Sequence, residues 1–313
     1  MPTLKKPTVA ISLGDINGVG IEIALKVHND ISQHVHPLYC INQILLSQAS
    51  QKLGVTVPDD FVLSEVGETF DIEVGSVSEK SGQFSYDSFL HAVNLAKKGA
   101  VDAVVTLPIH KEAWSLAGIN YKGHTDMLRD IFQQDAIMML GCEKMYVALY
   151  TEHIPLQAVA SSLTLSRLTT FLEDFLAATG AKKVAVLGLN PHAGDNGVLG
   201  NEEEIISEVI TSLNSALGQE IFVGPVVPDV AFTPHFRQNF TYFVAMYHDQ
   251  GLAPLKALYF DESVNISLNL PIIRTSVDHG TAFDIAYQNN ANTLSYINAI
   301  KAACSLLQRS NQP

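Results

Sequence analysis

Cysteines are scarce in this sequence and form no recognisable pattern. Cys40, Cys142 and Cys304 are the only three, an odd number at wide spacing, so no disulfide framework is expected and a reducing cytoplasm is indicated. Because no Cys-x-x-Cys pair occurs, a zinc site made of thiolates is not expected either. No stretch reaches the roughly 18 apolar residues that a membrane span needs. The amino-terminal MPTLKKPTVAISLG has the pattern of a first strand, not of a signal peptide.

Positive charge is also scarce. The chain has 19 Lys and Arg residues against 32 Asp and Glu residues, which gives a formal net charge of −13. Since the cations are not concentrated in any patch, the sequence predicts no binding to nucleic acid and none to an anionic membrane. We expect an acidic, soluble, cytoplasmic protein.

Internal repeats, low-complexity segments and proline-rich linkers are absent, so composition marks no domain border. The length of 313 residues exceeds the usual size of one core and favours two domains. Short β-branched runs alternate with segments of helical periodicity, which predicts an α/β fold with a parallel or mixed sheet. The predicted strands are 8–13, 37–41, 101–107, 145–151, 183–189, 242–247 and 264–268. The predicted helices are 21–28, 43–53, 86–98, 166–179, 201–217 and 292–308.

Neither of the common nucleotide-binding motifs is present. The turn GDINGVGIE follows the first predicted strand, but it fits neither G-x-G-x-x-G nor G-x-x-x-x-G-K-[ST]. Its glycines, Gly14, Gly18 and Gly20, suit a tight turn in which Asp15 caps the helix, and they also suit an anion held at the helix amino end. The similar NPHAGDNGVLGNEEE is not expected to hold phosphate, because the glutamates at 202–204 would repel it.

A second candidate for an anion site is KGHTDML. Thr125 is a natural N-cap for a predicted helix over 126–132. Its hydroxyl, the helix amides and the neighbouring His124 would equally suit a phosphate group. The sequence alone leaves both interpretations open.

The densest group of polar side chains lies in YHDQGLAPLKALYF and VNISLNLPIIRTSVDHGTAFDIA, among strand-like apolar residues. A lone histidine, lysine or arginine is usually structural or solvated. A possible metal ligand, two cations and several carboxylates together are what a polyanionic small-molecule substrate requires. The group consists of His248, Asp249, Lys256, Asn265, Arg274, Asp278 and His279.

Three histidines each follow the end of an apolar strand: His153 in YTEHIPL, His192 in NPHAG and His248 in YHDQG. Ligands bind at the carboxyl edge of open α/β sheets. Three converging imidazoles would make an open site for Zn²⁺, Co²⁺ or another divalent ion. Three separate structural histidines are the alternative, since spacing does not establish convergence.

The motifs GDINGVGIE, AGINYKGHTD, TEHIPL, LNPHAGDNG, AMYHDQGLAPLK and VNISLNLPIIRTSVDHGTAFDIA together resemble those of the 4-hydroxythreonine-4-phosphate dehydrogenase family of pyridoxal phosphate biosynthesis. The resemblance spans nearly the whole chain. It implies that His153, His192 and His248 bind a divalent metal. It also assigns contacts with the substrate to five residues, His124, Thr125, Lys256, Asn265 and Arg274.

The chain departs from the family pattern GDPxGIGPE at Ile16 and Ile21, where prolines are usual, and from GHTE at Asp126. These departures leave every implied metal and substrate residue intact. The group that takes the hydroxyl proton is not identified. Asp249 and Asp278 are candidates, although a carboxylate beside a ligand histidine can equally orient that histidine.

The resemblance also implies the fold of isocitrate and isopropylmalate dehydrogenases, with two α/β domains, a cleft between them, and a homodimer whose partner completes the metal site. Those enzymes bind NAD without G-x-G-x-x-G, so the absence of that motif is no objection. The domains are expected at 1–128 with 280–313 and at 129–279, the second carrying most metal and substrate residues and the dimer interface. The implied cofactors are NAD or NADP and one Zn²⁺, Co²⁺ or Mg²⁺ per site.

The implied reaction is the oxidation of 4-phosphohydroxy-L-threonine, a small phosphorylated hydroxy amino acid. The product, 2-amino-3-oxo-4-phosphooxybutanoate, loses CO₂ to give 3-amino-2-oxopropyl phosphate in pyridoxine 5′-phosphate biosynthesis. A metal chelated by the substrate would lower the pKa of its hydroxyl as hydride leaves C3. Two alternatives stay open: a related dehydrogenase of D-threonate or D-erythronate 4-phosphate, and a non-catalytic metal- or phosphate-binding protein.

Overall fold

A computed structural model describes residues 6–310 of the chain. In this part of the chain short strands alternate with helices, and the predicted α/β class is confirmed. The strands are β1 (Thr8–Ser12), β2 (His36–Cys40), β3 (Val62–Ser64), β4 (Ala103–Thr106), β5 (Ile137–Cys142), β6 (Met145–Leu149), β7 (Val184–Leu187), β8 (Phe222–Val226), β9 (Tyr242–Ala245), β10 (Val264–Leu268) and β11 (Arg274–Val277).

Helices, several of them only one turn long, connect these strands. They are α1 (Gly20–Lys26), α2 (His28–Ile31), α3 (Gln43–Leu53), α4 (Glu79–Lys97), α5 (Lys111–Leu116), α6 (His124–Phe132), α7 (Val159–Ser162), α8 (Leu165–Thr179), α9 (Glu202–Leu217), α10 (Pro228–Ala231), α11 (Pro234–Arg237), α12 (His248–Tyr259) and α13 (Leu294–Ser310). Short 3₁₀ segments lie at Leu156–Ala158 and Pro191–Gly197. Within residues 6–310, none of the helices combines the length and the apolar character that crossing a membrane requires.

Backbone contacts divide the chain into two units. Unit 1 comprises the residues up to Gln134, Val264–Ile266 and the residues from Leu270 onward, whereas unit 2 comprises Asp135–Ser263 and Ser267–Asn269. Strand β11 belongs to unit 1 because it pairs with β4. The domains predicted from the sequence, 1–128 with 280–313 and 129–279, have other boundaries than these two contact units. The predicted domains stay a prediction.

Unit 1 is built on a run of parallel strands in the order β3-β2-β1-β4-β11. Parallel strands covered on both faces are apolar along most of their length, as β1 and β4 are. The register places Ser12 beside Thr106 and Thr106 beside Ser276, so polar residues gather at the carboxyl ends of these strands. The core of the unit includes Phe89 of α4 and Trp114 of α5.

Unit 2 has its strands in the order β5-β6-β9-β7-β8. Strands β5 and β6 are antiparallel, whereas β6, β9, β7 and β8 pair in parallel, so the sheet is mixed, one of the two predicted alternatives. Helix α12 contributes Leu252 and Leu255 to the core, where they join Val147 and Phe243 of the strands. Because β6, β9 and β7 are parallel neighbours, their carboxyl ends meet at one edge of the sheet.

Several helices begin and end where local chemistry specifies it. The side chains of Asn42 and Thr164 accept hydrogen bonds from the first turns of α3 and α8. Gly54 and Gly180 end the same two helices in the left-handed conformation, which glycine adopts at little cost. These signals explain why the predicted helices 43–53 and 166–179 agree with the structure to within one residue.

Some elements differ from the sequence-based expectation. YHDQGLAPLKALYF, whose pattern looks strand-like, is mostly the helix α12, with Pro254 inside it. Gly251 lets this helix approach the sheet closely, because a Cβ there would lie 2.4 Å from Val147 Cγ1. The sequence does not predict β5 (IMMLGC) or β11 (RTSV), since the first has few β-branched residues and the second is half polar.

Candidate active site

Arg274 is a buried cation of unit 1. It lies on β11 with only 2% of its surface exposed. Its Nη2 donates hydrogen bonds to Thr106 Oγ1 at 2.6 Å and to His124 Nδ1 at 3.0 Å. Burial lowers the pKa of the guanidinium to about 9, so it stays protonated at neutral pH. A guanidinium held in one orientation is well suited to bind a carboxylate or phosphate in a bidentate manner.

His124, the first residue of α6, is held in one tautomer. Because the guanidinium of Arg274 can only donate, Nδ1 of His124 must accept, and the proton of the neutral ring lies on Nε2. Burial, and secondly the charge of Arg274, holds the pKa of His124 well below its ordinary value. Edge contacts with Phe89 and Trp114 fix the ring plane. Nε2 is buried and has no hydrogen-bond partner within residues 6–310. Its N–H can therefore donate a hydrogen bond to an oxygen of a bound ligand.

The predicted N-cap role of Thr125 is wrong. Helix α6 begins at His124, directly after Gly123, and no side chain caps it. Thr125 therefore lies in the first turn, where it is buried, whereas a capping hydroxyl must precede that turn. Asp126 instead accepts a hydrogen bond from the backbone of Lys122 at 3.0 Å. The alternative, a phosphate at the first-turn amides of α6, stays a prediction.

Other predicted residues of unit 1 lie on or just after β10 and β11. Asn265 Oδ1 and His279 Nε2 are both buried and have no hydrogen-bond partner in the part of the chain that the structure describes. Asp278 donates its backbone N–H to Ser295 Oγ at 3.1 Å. Buried polar atoms that the protein itself does not pair indicate places where a ligand or an ordered water contributes the missing bond.

In unit 2, His153 and His248 lie next to each other, with ring centroids 5.6 Å apart. Topology explains this closeness: His153 follows β6, His248 follows β9, and these strands pair in parallel. The imidazole of His248 donates from Nδ1 to Asp249 Oδ1 at 2.6 Å. This bond leaves the electron pair of Nε2 for a metal. The geometry favours the orienting role of Asp249 over that of a proton acceptor.

His192 follows β7, the strand on the other side of β9. The backbone is left-handed at five successive residues from His192 to Asn196, with φ between 44° and 77°. This conformation costs roughly 1–2 kcal/mol for a residue other than glycine, and less for Asp and Asn. The structure does not group the three histidines: among residues 6–310, no three His, Cys, Asp or Glu side chains lie close enough together to hold a metal. The predicted metal ligands therefore stay a prediction.

The chemistry of the donors nevertheless suits a divalent metal. Three imidazoles form a ligand set that leaves one position open for a substrate. Asp249 is already placed to orient one of them, His248. Lys256 lies on the same helix, about two turns after His248. Its Nζ lies 5.5 Å from the ring centroid of Phe260.

The glycines of GDINGVGIE are explained by tight packing of the backbone. A Cβ at Gly14, where φ is +66°, would lie 2.1 Å from the carbonyl oxygen of Pro108. A Cβ at Gly20 would lie 2.3 Å from the carbonyl oxygen of Leu13. Both approaches exclude a side chain. Two interpretations of this segment were open, a tight turn and an anion site at the helix amino end. The close backbone packing favours the tight turn.

Asp15 does not cap α1, whose N-cap residue is Val19. Asp15 directly precedes the turn that leads into the helix, and the residue is fully buried there. Its carboxylate accepts hydrogen bonds from the backbone N–H of Asn17 at 3.0 Å and from Ser81 Oγ at 3.1 Å. Burial raises the pKa of this carboxyl from 3.8 to about 6, and the two hydrogen bonds oppose that rise.

Replacing Asp15 with asparagine is expected to change how stability depends on pH. Because the pKa is higher in the folded state, protonation of Asp15 favours folding fully below 3.8, and this contribution is lost as pH rises through about 6. The free energy of unfolding of Asp15→Asn, relative to the natural protein, should therefore increase by about 2 kcal/mol between pH 4 and pH 7.5. Urea unfolding at both pH values measures this. Asp71→Asn, at an exposed position, is the control, and equal pH dependence in both variants would contradict the assignment.

Sequence reasoning missed two residues of the candidate site. Thr106, which accepts a hydrogen bond from Arg274, is the polar residue at the carboxyl end of the otherwise apolar β4, and that position is a usable signal. Glu203 is one of three glutamates that open α9, but its buried carboxylate binds the backbone of Leu189 and Asn190. Nothing in the sequence distinguishes it from its neighbours.

Comparison with known proteins identifies the family. The family described as "Pyridoxal phosphate biosynthetic protein PdxA" matches residues 24–303. The chain belongs to this family. It is 63% identical, over 306 residues, to the 4-hydroxythreonine-4-phosphate dehydrogenase of Sulfurimonas denitrificans, and the match covers 98% of this chain and 100% of the relative.

Solved structures agree with this membership of the PdxA family. The crystal structure of 4-hydroxythreonine-4-phosphate dehydrogenase from Klebsiella pneumoniae is similar, with a TM-score of 0.81, 33% identity, and coverage of 96% of this chain and 100% of that chain. Isocitrate dehydrogenase from Methylococcus capsulatus shares the fold alone, with a TM-score of 0.51, 14% identity, and coverage of 98% and 86%. The predicted family and the predicted relation to the isocitrate dehydrogenase fold are confirmed. The chain is an oxidoreductase of the PdxA family.

Proposed function

We propose that the chain oxidises 4-phosphohydroxy-L-threonine with NAD or NADP and one divalent metal, Zn²⁺, Co²⁺ or Mg²⁺. The product, 2-amino-3-oxo-4-phosphooxybutanoate, is a β-keto acid that loses CO₂ to give 3-amino-2-oxopropyl phosphate. The observation that carries the proposal is the buried Arg274–His124 pair in a chain 63% identical to a 4-hydroxythreonine-4-phosphate dehydrogenase. We place the reaction in the cytoplasm, where free cysteines such as those of this chain stay reduced.

Arg274 and His124 supply two different donors to an anionic end of the substrate. The guanidinium contributes a charge and the neutral imidazole contributes a directed Nε2–H. Thr125 lies in the same first turn of α6, whose amides suit a phosphate group. Lys256 and Asn265 are the further proposed contacts with the substrate. A phosphorylated amino acid has two anionic ends, which accounts for the number of donors.

The bound metal would lower the pKa of the C3 hydroxyl, and the nicotinamide would accept the hydride from C3. His153, His192 and His248 are the residues proposed to hold the metal. The hydrogen bond to Asp249 keeps the His248 ring in the tautomer that a metal requires. Asp249 and Asp278 are the two candidates to accept the hydroxyl proton, and the bond to His248 favours an orienting role for Asp249.

Turnover measured with two kinds of substrate tests the proposal. The purified chain is assayed for reduction of NAD and of NADP with 4-phosphohydroxy-L-threonine, and in parallel with D-threonate and D-erythronate 4-phosphate, with Zn²⁺, Co²⁺ or Mg²⁺ added. We expect the highest kcat/KM with the amino acid and loss of turnover after chelation. A higher kcat/KM with either sugar acid would overturn the substrate assignment. Binding of metal and phosphate without any turnover would overturn the catalytic role.

We further propose that the working unit is a homodimer, which light scattering measures directly. Since His153 and His248 lie 5.6 Å apart within one chain, a mixture of His153→Ala and His248→Ala subunits is expected to stay inactive. Each site of the heterodimer would then lack one ligand. Recovered activity in the mixture would show that the two ligands of one site come from different chains. A fully active monomer would contradict the dimer itself.

A further inference from the structure

We propose that Glu203 is a positioning residue that holds the loop 188–200 in the conformation that presents His192. The inference rests on the proposed function in one respect, that His192 is a metal ligand. The role assigned to Glu203 is to set the backbone of the loop, and it contacts neither metal nor substrate.

The carboxylate of Glu203 is buried, with 7% of the residue exposed. Its Oε1 accepts hydrogen bonds from the backbone N–H of Leu189 at 2.8 Å and of Asn190 at 2.7 Å. Its Oε2 accepts a hydrogen bond from Asn190 Nδ2 at 2.9 Å. These donors belong to the first residues after β7, where the sheet no longer pairs the backbone. One charged acceptor thus fixes the beginning of the loop.

The same carboxylate also touches the loop beyond His192. A Cβ at Gly194 would lie 2.6 Å from Glu203 Oε2, and a Cβ at Gly188 would lie 3.2 Å from Oε1. Gly188 precedes the histidine and Gly194 follows it, so the loop closes around the carboxylate on both sides. Glycine leaves room for the carboxylate at both positions, and at Gly194 it also suits the φ of +77°.

The loop needs such support because its conformation is unfavourable by itself. His192 and Ala193 are left-handed, with φ of 54° and 52°, a region that is uncommon for residues other than glycine and in particular for alanine. Backbone of this kind persists where the surroundings hold it, and it is common at functional sites. The carboxylate of Glu203 is buried against the loop and binds its backbone, so we assign a main part of that support to it.

The ordinary role of a glutamate in the first turn of a helix is to complement the helix dipole. Glu202, Glu203 and Glu204 all lie in the first turn of α9, so this role alone does not distinguish them. Glu204 is exposed, whereas Glu203 is buried against the loop. Glu204→Gln therefore removes the same charge from the same turn without touching the loop, and it is the matched control.

Glu203→Gln is the informative substitution. A glutamine oxygen can still accept from the two backbone N–H groups, but its Nε2 would then face Asn190 Nδ2, and two donors do not pair. Reversing the amide of Asn190 would instead turn its oxygen toward Glu202 Oε2, which now receives the Nδ2 hydrogen bond at 2.7 Å. Either arrangement loses one hydrogen bond of the Asn190 side chain. The loop should therefore become more mobile, while the side chain of His192 is unchanged.

Amide hydrogen exchange of the metal-free protein and titration with Zn²⁺ test the inference. We expect faster exchange at Leu189 and Asn190 and about a ten- to hundredfold weaker affinity for Zn²⁺ in Glu203→Gln, and no change in Glu204→Gln. At saturating Zn²⁺, kcat should largely recover, because the ligand itself is present. Exchange rates and affinity equal to those of the control would overturn the proposal.

Two further results separate this inference from the proposed function. If the natural protein binds no Zn²⁺, the metal site of the proposed function fails, while the exchange rates still decide whether Glu203 holds the loop. If Glu203→Gln does not fold, Glu203→Asp replaces it, since a carboxylate on a shorter side chain keeps the charge but does not reach the amides. Unchanged exchange at Leu189 and Asn190 in Glu203→Asp would overturn the proposal equally.

Discussion

Replacing His248 with alanine is expected to lower kcat/KM by more than about a thousandfold while the fold is kept. A metal that polarises the reacting oxygen contributes several kcal/mol to the transition state, and each ~1.4 kcal/mol changes the rate tenfold. His248 is partly exposed at the start of α12, so its removal leaves no large cavity. Steady-state kinetics and the metal content of the purified variant measure the effect. Asp249→Asn should lower kcat/KM less, by about ten- to a hundredfold, because it disturbs only the orientation of the His248 ring.

The control for this substitution is His235→Ala, which removes an exposed histidine of the same unit. Its kcat/KM and metal content should equal those of the natural protein. A His248→Ala variant with full activity, or full activity of the natural protein after chelation, would remove His248 and the metal from the mechanism.

Replacing Arg274 with lysine is expected to lower kcat/KM by about a hundredfold. A hydrogen bond to a charged group is worth roughly 1.5–3 kcal/mol, and an ammonium cannot reproduce the planar fork of a guanidinium. Lysine would also leave His124 Nδ1 or Thr106 Oγ1 without its donor, and the tautomer of His124 would no longer be specified. The KM for the phosphorylated substrate should rise along with the fall in kcat.

Arg167→Lys is the matched control, since it makes the same exchange at an exposed position. Thermal unfolding of both variants shows whether a lower kcat/KM comes from the site or from a loss of folded protein. An unchanged kcat/KM in a folded Arg274→Lys variant would mean that Arg274 does not contact the substrate.

Local sequence signals were sufficient for several features of this protein. The β-branched run of β1, the side-chain cap of Asn42 and the left-handed glycine at Gly180 each act within a few residues, so the corresponding elements are predicted closely. The three histidines after apolar strands also follow from local patterning. Patterning does not tell which strands are neighbours, however, and the adjacency of β6, β9 and β7 is known only from the structure.

The sequence by itself determined the α/β class, the family and the residue types of the candidate site, because these depend on short motifs and on hydrophobic period. Only the tertiary structure decided which of those residues meet. Thr106 and Arg274 are 168 residues apart, and the pairing of β4 with β11 brings them within 2.6 Å. The tertiary structure likewise distinguishes Glu203 from the two glutamates beside it, because it buries Glu203. Long-range pairing and burial arise from the packing of whole elements, which no local pattern encodes.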